Sequence, residues 1–349
     1  METFESLVRA EFAPKNTYLN TASTGLLPTR TVTAMRTAIE AAAIGTPTDM
    51  FDDVEASRAA FARLVRVPVD RVAAGASVAV YSGLIAAALP PGAEVLTAEA
   101  DFSSVVNPFH MRADLKVRSV PLERIAESVR PGTALVAVSA AQSADGRIAD
   151  LPALRAAAAE HGTRTYIDAS QAAGWLDLDA DAYDYVASVG FKWLVCPRGV
   201  AFLVTPEDLG GLNPIFAGWV AGEEPWDSCY GPVEELAHSA RRFDESPALF
   251  SYAGARHSLA LLEEVGLPAV RAHDLALADR FRTGLAALGH EPVPSPGAPI
   301  VSVPGLGHRQ GELSAAGVQV SDRAGNLRAA FHLYNTPQDV DRLLDVLSG

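Results

Sequence analysis

Two side chains of opposite charge follow two successive apolar segments of the chain. Asp168 ends the first, in Tyr166-Ile-Asp-Ala-Ser-Gln171, and Lys192 follows the second, 24 positions later. A lysine amine can form a Schiff base with an aldehyde, and a carboxylate can keep a proton on a pyridine nitrogen. A lone aspartate is more often a turn residue and a lone lysine a solvated charge, but Lys192 lies between two aromatic residues. Together the pair indicates pyridoxal phosphate chemistry.

Weaker signals accompany this pair. Ser77 and Val78 start a predicted helix after a small-residue turn, where a hydroxyl and backbone N–H groups could bind a phosphate. Simple N-capping by Ser77 explains the turn equally well. Phe102 could stack on a flat ring, although core packing accounts for most phenylalanines. Gln142 or Ser143 could reach a phenolic oxygen of the ring, or could simply form a surface turn.

An arginine in a strand-like run, Arg328, could bind a substrate carboxylate through two parallel hydrogen bonds. The alternative is an edge-strand arginine paired with a surface acid. Arg323 is a weaker candidate for the same role or for a distal group of the substrate. Three aromatic residues could line the substrate entrance or form a core between two lobes: Trp219, Trp226 and Tyr230.

The elements that would position these residues alternate between short apolar runs and helical stretches. The pattern predicts strands at Arg71–Ala74, Ala93–Ala98, Val117–Pro121, Ala134–Ser139, Arg164–Asp168, Tyr185–Ser188 and Val200–Val204. It predicts helices at Thr31–Ala43, Val54–Val65, Ser77–Leu89, Arg124–Val129 and Leu151–His161. Such alternation is typical of an α/β fold with a mainly parallel sheet covered by helices on both faces. Ligands in such sheets bind at the carboxyl ends of the strands, where the candidates lie.

A smaller C-terminal α+β domain is predicted after an irregular aromatic stretch. Its elements are helices at Ala253–Val265, Ala269–Leu288 and Pro337–Leu347, with strands near Ile300–Val303, Val318–Val320 and Leu327–His332. We assign residues 1–240 to the large domain and 241–349 to the small one, with the segment 1–28 packing toward the small domain.

The composition limits the possible partners. The chain of 349 residues carries a formal charge of −14, which argues against nucleic acids and acidic membranes. Its two cysteines, Cys196 and Cys229, make a disulfide framework or a zinc cluster unexpected, and we predict no metal site. The N-terminus lacks a signal-peptide pattern and no apolar run reaches membrane-spanning length, so we expect a cytoplasmic protein.

Taken together, these segments resemble the class V aminotransferase family of fold-type-I pyridoxal phosphate enzymes. That family includes cysteine desulfurases, isopenicillin-N-epimerase-like proteins, kynureninases and carbon–sulfur lyases. The resemblance spans nearly the whole chain. It rests on Tyr18-Leu-Asn-Thr-Ala22 with Gly25 and Pro28, on the Asp168 and Lys192 motifs, and on Leu327-Arg328 with Tyr334-Asn-Thr336 and Asp339. It implies a large domain with a seven-stranded type of sheet, and a homodimer.

The resemblance also implies roles for single residues. Lys192 would be the Schiff-base lysine, and Asp168 would hold the pyridine nitrogen. The remaining cofactor contacts would come from Gln171 on the phenolic oxygen, from Ser77, Val78 and Ser188 on the phosphate, and from Phe102 on the ring. Substrate binding would fall to Arg328, which would bind the α-carboxylate, and to Arg323 and Asn20.

Three positions depart from the family's pattern. Val189 stands where a phosphate-binding serine or threonine is usual, with Ser188 one step earlier, so the phosphate ligands on this side stay open. Phe191 replaces a histidine before the lysine, and Cys196 replaces a glycine. In addition, residues 291–328 contain no cysteine, whereas a desulfurase needs a thiolate on a mobile loop there. We therefore expect no persulfide-forming desulfurase.

The expected reaction is β-elimination or C–S bond cleavage of a cysteine-derived amino acid, because it requires no protein thiol and no second acid–base group. Transamination is the main alternative. Epimerisation is another, and it would need a proton donor on the opposite face, for which Tyr252 and His257 are candidates. A relative of the same fold that has lost catalysis and acts as a binding subunit is the alternative of another class.

Overall fold

A seven-stranded sheet forms the centre of the protein in a computed structural model that describes residues 4–46 and 51–349. Its strands are β2 (Val72–Gly75), β3 (Glu94–Ala98), β4 (Lys116–Val120), β5 (Thr133–Ser139), β6 (Arg164–Asp168), β7 (Tyr185–Val189) and β8 (Ala201–Val204), and β1 (Thr17–Tyr18) precedes them outside this sheet. The strand order is β2-β8-β7-β6-β5-β3-β4. Every pairing is parallel except those of β8, which runs antiparallel to β2 and β7. The predicted mainly parallel sheet is confirmed.

Helices cover this sheet because its central strands are apolar on both faces. The helices are α1 (Phe4–Glu11), α2 (Thr29–Ala43), α3 (Asp52–Leu64), α4 (Val78–Ala88), α5 (Ser103–His110), α6 (Leu151–His161), α7 (Leu249–Val265), α8 (Leu267–Ala287), α9 (Gln310–Ala315) and α10 (Pro337–Ser348). Helix α7 packs against α2 and α3, and α4 packs against α5. Between residues 209 and 243 the chain forms only short 3-10 turns.

A second, smaller sheet lies in the C-terminal part. It consists of β9 (Ile300–Val303), β11 (Ser321–Arg323) and β12 (Asn326–Ala330), all antiparallel, with β12 in the centre. Strand β10 (Val318–Gln319) instead pairs in parallel with β1, which ties the N-terminal segment to this part of the chain. A separate apolar core beneath it includes Leu277, Phe281, Val301 and Phe331.

The predicted domain boundary between residues 240 and 241 stays a prediction. The helix that follows this boundary, α7, contributes Tyr252, Leu259 and Leu262 to the same core as the large sheet. The second core draws on α8 and later elements, together with Leu19. None of the helices in the described ranges is both long and apolar enough to cross a membrane.

Two sequence predictions differ from the structure, and three helices, α1, α5 and α9, were not predicted. Arg124–Val129 is not a helix but a 3-10 turn at Leu122–Arg124 that continues into turns. So short a segment, closed by Pro131, cannot offset the cost of helix nucleation. Helix α5 was missed because Pro108 lies inside it. The predicted strand Val318–Val320 is divided between β10 and β11, which belong to different sheets.

Replacing Gly174 by alanine tests the close approach behind the lysine segment. Gly174 has φ +113°, and an added Cβ would lie 2.6 Å from the Trp193 carbonyl oxygen. Gly132 is a matched control, because its φ is +92° but nothing lies within 4 Å of an added Cβ. We expect Gly174→Ala to lower the free energy of unfolding by about 3 kcal/mol and Gly132→Ala by about 1 kcal/mol in urea titrations. Equal losses in the two variants would contradict this steric account.

Candidate active site

A cavity of about 520 Å³ opens at the carboxyl ends of the parallel strands. Its wall brings together six of the predicted site residues, which come from distant parts of the chain: Ser77, Val78, Phe102, Asp168, Lys192 and Arg323. The volume falls in the range of ordinary small-molecule sites. The position agrees with the rule that ligands of open α/β sheets bind outside the carboxyl ends of the strands.

Lys192 is one of only three lysines in the chain and lies in this cavity with 5 % of its surface exposed. Burial lowers the pKa of its amine to about 8, although the negative charge of Asp168 acts in the opposite direction. The positive charges of three arginines, Arg328, Arg198 and Arg323, act in the same direction as burial and contribute to this lowered pKa. A substantial fraction of the amine is therefore neutral near pH 8, the form that attacks an aldehyde or accepts a proton.

Asp168 lies at the end of β6 with 3 % of its surface exposed. Burial raises the pKa of its carboxyl, and the charge of Lys192 partly offsets this. Its Oδ1 accepts a hydrogen bond of 2.8 Å from the Ser170 N–H. Asp168 also lines the cavity, and its predicted hydrogen bond from a protonated ring nitrogen stays a prediction.

The ring of Phe102 forms another part of the wall. Its centre lies 4.9 Å from the Lys192 Nζ, and 42 % of the side chain is exposed. So much exposed aromatic surface beside a buried amine leaves a face open to a flat ligand.

Gln171 lies behind the cavity rather than on its wall. Its Nε2 donates to the Ala22 carbonyl at 2.9 Å and to Ser143 Oγ at 3.0 Å, and its Oε1 accepts from the Trp193 indole at 2.7 Å. Both amide hydrogens are thus engaged within the chain. Gln171 connects the lysine segment to the N-terminal segment, while its predicted bond to a phenolic oxygen stays a prediction.

A buried histidine and aspartate hold the next residue of the lysine segment. His332 Nε2 lies 3.0 Å from the Trp193 carbonyl oxygen, and its Nδ1 lies 2.9 Å from Asp274 Oδ2. A carbonyl oxygen only accepts, so Nε2 carries a hydrogen. Both side chains are fully buried, and burial raises the pKa of Asp274. The backbone beside Lys192 is therefore tied to α8 and to the end of the small sheet.

The N-terminus of α4 forms the end of the cavity suited to a phosphate. Ser77 caps this helix, and its Oγ accepts from the Val80 N–H at 3.4 Å. The N–H groups of the first turn have no partner within a helix and point outward. The Ala76 N–H is already bonded to Glu245 Oε1 at 2.8 Å, so an anion would be left with Ser77 and Val78.

The predicted phosphate residue Ser188 is not among the cavity-lining residues. Neighbouring residues of a strand point to opposite faces, and it is Val189 that lines the wall. The Ser188 Oγ lies 3.2 Å from the Val189 carbonyl oxygen inside the sheet. A hydroxyl is nevertheless present on that wall, because Ser170 lines the cavity.

Arg328 occupies the central strand of the small sheet, not an edge, with 1 % of its surface exposed. Its guanidinium donates to the Ser143 carbonyl oxygen and, at 2.7 Å, to Ser23 Oγ, while its buried Nε has no hydrogen-bond partner among the described residues. Burial and the charge of Arg323 lower its pKa to about 9. The predicted residue Asn20 holds the same serine, because Asn20 Oδ1 accepts from Ser23 Oγ at 2.7 Å.

Several residues at the site were missed in the sequence. Ser23 and Thr24 follow the opening motif, and Arg198 lies in Pro197-Arg198-Gly199 just after the lysine. Their nearness to the two motifs was a usable signal. His332 and Asp274 gave none, because their contact joins residues 58 positions apart.

Other candidates lie elsewhere. The Tyr252 hydroxyl donates to Gly75 and Ala201 carbonyls inside the core, and His257 lies at a surface groove beside Arg30 and Asp53. Trp226 and Tyr230 are exposed, and Trp219 contacts Trp226. None of these residues lines the cavity described above.

The family model for class V aminotransferases matches residues 17–304 of the chain. The chain belongs to this family. Among curated relatives, the aminotransferase YcbU of Bacillus subtilis, itself uncharacterized, is 26 % identical over 86 % of this chain and 85 % of its own length. The isopenicillin N epimerase of Streptomyces clavuligerus is 29 % identical over 95 % and 94 %.

Solved structures agree on the fold. The complex of the cystine C–S lyase C-DES with its product cysteine persulfide has a TM-score of 0.87 at 24 % identity, covering 96 % of this chain and 97 % of its own. The apo cysteine desulfurase of Thermococcus onnurineus has a TM-score of 0.84 at 21 % identity, covering 96 % and 94 %. At such identities the likeness establishes the fold-type-I architecture.

Pyridoxal 5′-phosphate is the cofactor of this family and of the present chain as a member of it. The donor set fits it: a buried amine for the aldehyde, a buried carboxylate for the ring nitrogen, an open aromatic face and a free helix N-terminus. The predicted recognition of the family and of its cofactor is confirmed.

The lowered pKa of Lys192 predicts an unusual pH dependence of amine acylation in the cofactor-free protein. With trace acetic anhydride, we expect acetylation of Lys192 to rise with a midpoint near pH 8. In Asp168→Asn the midpoint should fall below 8, because the charge that favours the ammonium form is gone. Peptide mass spectrometry can follow each lysine separately, with exposed Lys15 as the internal control. A midpoint near that of an ordinary lysine, about 10.4, would contradict the desolvated site.

Proposed function

We propose that the chain catalyses β-elimination, with C–S bond cleavage, of a cysteine-derived amino acid. One observation carries this proposal: Lys192 is a buried, partly neutral amine in a cavity that contains no histidine, tyrosine or cysteine among the described residues lining it. Elimination needs one base at the substrate Cα and a leaving group at Cβ, and this wall supplies one such base.

In this proposal each residue has a defined task. Lys192 would hold the cofactor through its aldehyde, and once the substrate amino group has displaced it, the freed amine would accept the proton from the substrate Cα. Asp168 keeps the ring nitrogen protonated, and the bound cofactor supplies the electron sink for the developing charge at Cα. Arg328 binds the α-carboxylate and so orients the Cα–H bond toward Lys192. The Cβ–S bond would break with the sulfur leaving as a thiolate, and the remaining unsaturated amino acid would take up one water, as its imine tautomer, to give pyruvate and ammonia.

The cysteines support a reaction without a protein persulfide. Cys196 is buried, donates to the Leu194 carbonyl at 3.2 Å, and has its thiol pKa raised by burial. Cys229 lies on a 3-10 turn near the Pro225 carbonyl. Neither residue lines the cavity. A nucleophilic thiolate would need access to the substrate sulfur and a lowered pKa.

Transamination and epimerisation are the rival reactions. Transamination is supported by the name of the Bacillus relative and requires the same lysine. Epimerisation is supported by the name of the Streptomyces relative, but it requires a proton donor facing Lys192. The two donors considered for that role, Tyr252 and His257, are not on the cavity wall. Dimerisation and a cytoplasmic location stay predictions.

Product analysis of the purified holoenzyme tests the proposal. With S-substituted cysteines we expect pyruvate, ammonia and free thiol in equal amounts. Lys192→Ala should lose the visible absorbance band of the cofactor and the label that borohydride fixes to the lysine, and its turnover should fall at least about 10³-fold. The control Lys116→Ala, which replaces an exposed lysine, should keep the band, the label and the wild-type turnover. Conversion of an added keto acid to a new amino acid would indicate transamination, and formation of a D-amino acid would indicate epimerisation. A colourless protein that does not take up added pyridoxal phosphate would indicate a binding subunit.

Replacing the cysteines tests the absence of a persulfide. We expect Cys229→Ser and Cys196→Ala each to retain turnover within about twofold, since a half-buried thiol outside the cavity and a buried apolar contact take no part in the proposed reaction. Thermal unfolding of each variant separates a folding defect from a catalytic one. Loss of turnover by more than about 100-fold in a folded variant, together with a persulfide on the wild-type cysteine, would overturn the proposal.

A further inference from the structure

Three guanidinium groups converge on one turn at the mouth of the cavity. Ser23 Oγ accepts from Arg328 Nη2 at 2.7 Å and from Arg323 Nη2 at 2.9 Å. The neighbouring Thr24 Oγ1 accepts from Arg198 Nη2 at 2.9 Å. Because both nitrogens donate to the same oxygen, Arg328 Nη2 and Arg323 Nη2 lie close to each other. Neutral hydroxyls orient these cations without neutralising them.

None of the three has a carboxylate partner in the part of the chain that the structure describes. The two other buried arginines among the described residues are paired: Arg58 lies 2.6 Å from Asp244, and Arg71 contacts Asp181. The three unpaired arginines nevertheless lie close enough to Lys192 to disfavour its charge. Among the described residues that line the cavity, Asp168 is the single carboxylate. Such a local excess of positive charge, in a chain of net charge −14, is a site for anions.

The guanidinium of Arg198 is also held in a fixed orientation. Its Cζ lies 4.1 Å from the centre of the Phe191 ring, the aromatic residue directly before the lysine. Stacking on one face and a hydrogen bond to Thr24 at one edge leave its other edges free for a ligand. Arg323 lines the cavity as well, on the hairpin between β11 and β12.

We propose that the substrate is an amino acid with a second anionic group, and that Arg323 and Arg198 bind this group while Arg328 binds the α-carboxylate. The inference rests on the proposed function, since it assigns the α-carboxylate to Arg328. A carboxylate or a sulfur oxyanion on the side chain would satisfy the two remaining cations. A neutral side chain would leave them unpaired and mutually repulsive, which sets the specificity.

Acid and amide pairs test the second anion by binding alone. The holoenzyme is titrated with aspartate against asparagine, glutamate against glutamine, and 2-aminoadipate against its side-chain amide, by visible absorbance and by calorimetry. Because Arg323 and Arg198 are exposed, we expect at least one acid to bind about 10-fold more tightly than its amide. Arg323→Gln should reduce that ratio to below about threefold, and so should Arg198→Gln. Arg155→Gln is the matched control, an exposed arginine on α6, and should leave the ratio unchanged.

The outcomes separate the two proposals. A holoenzyme with its lysine-dependent visible band, whose amides bind as tightly as the acids in all three pairs, overturns the second-anion inference and leaves the cofactor chemistry intact. An unchanged ratio in Arg323→Gln overturns it as well. If Arg198→Gln instead weakens cofactor binding and leaves the ratio intact, Arg198 binds the phosphate and its part in the inference is wrong. Failure to form the band at all overturns the proposed function.

Discussion

The burial of one amine beside one carboxylate is the constraint on which the site depends. Lys192 and Asp168 are each almost fully buried. Burial lowers the pKa of the lysine amine and raises the pKa of the aspartate carboxyl, so it favours the neutral form of both groups. In water the same amine, with a pKa of about 10.4, would be almost wholly protonated at pH 8 and would be a poor nucleophile there. Parallel strands make the burial possible, because β6 and β7 end at the same edge of a sheet that helices cover on both faces.

Keeping that amine in place requires parts of the chain that are far apart in sequence. An added Cβ at Gly25 would lie 2.1 Å from the Lys192 carbonyl oxygen, so only a glycine lets the N-terminal turn pack there. Gln171 ties the same region to Trp193, and His332 holds the Trp193 carbonyl from the other side. The lysine segment is thus fixed by the N-terminal segment, the large sheet and the small sheet at once. Rigid support of this kind keeps a base within reach of the proton that it removes.

The charges around the cavity contrast with those of the whole protein. In this acidic chain three arginines contact one turn near Lys192, and their charges lower the pKa of its amine. The same groups would therefore serve two purposes in the proposals made above: they favour the reactive form of Lys192 and select substrates by charge. An anionic substrate would partly cancel the positive charge of these arginines when it binds, and would therefore raise the pKa of Lys192. A substrate with a neutral side chain would not produce this coupling between substrate binding and lysine protonation.

What the sequence determined by itself was local chemistry and periodicity. Apolar runs placed β5, β6 and β7, with Asp168 as the last residue of β6 and Lys192 just after β7, because strand ends are set by short-range pattern. Arg328 was predicted to be a carboxylate ligand from its type and motif, a role that stays a prediction, and its place in the central strand was not foreseen. Tertiary structure alone decided that Val189 rather than Ser188 faces the cavity, that Gln171 is occupied by contacts within the chain, and that Arg198, Arg323 and Arg328 meet at Ser23 and Thr24. Contacts between residues hundreds of positions apart leave no periodic trace in a single sequence, since they depend on how sheets and segments pack and not on neighbouring residues.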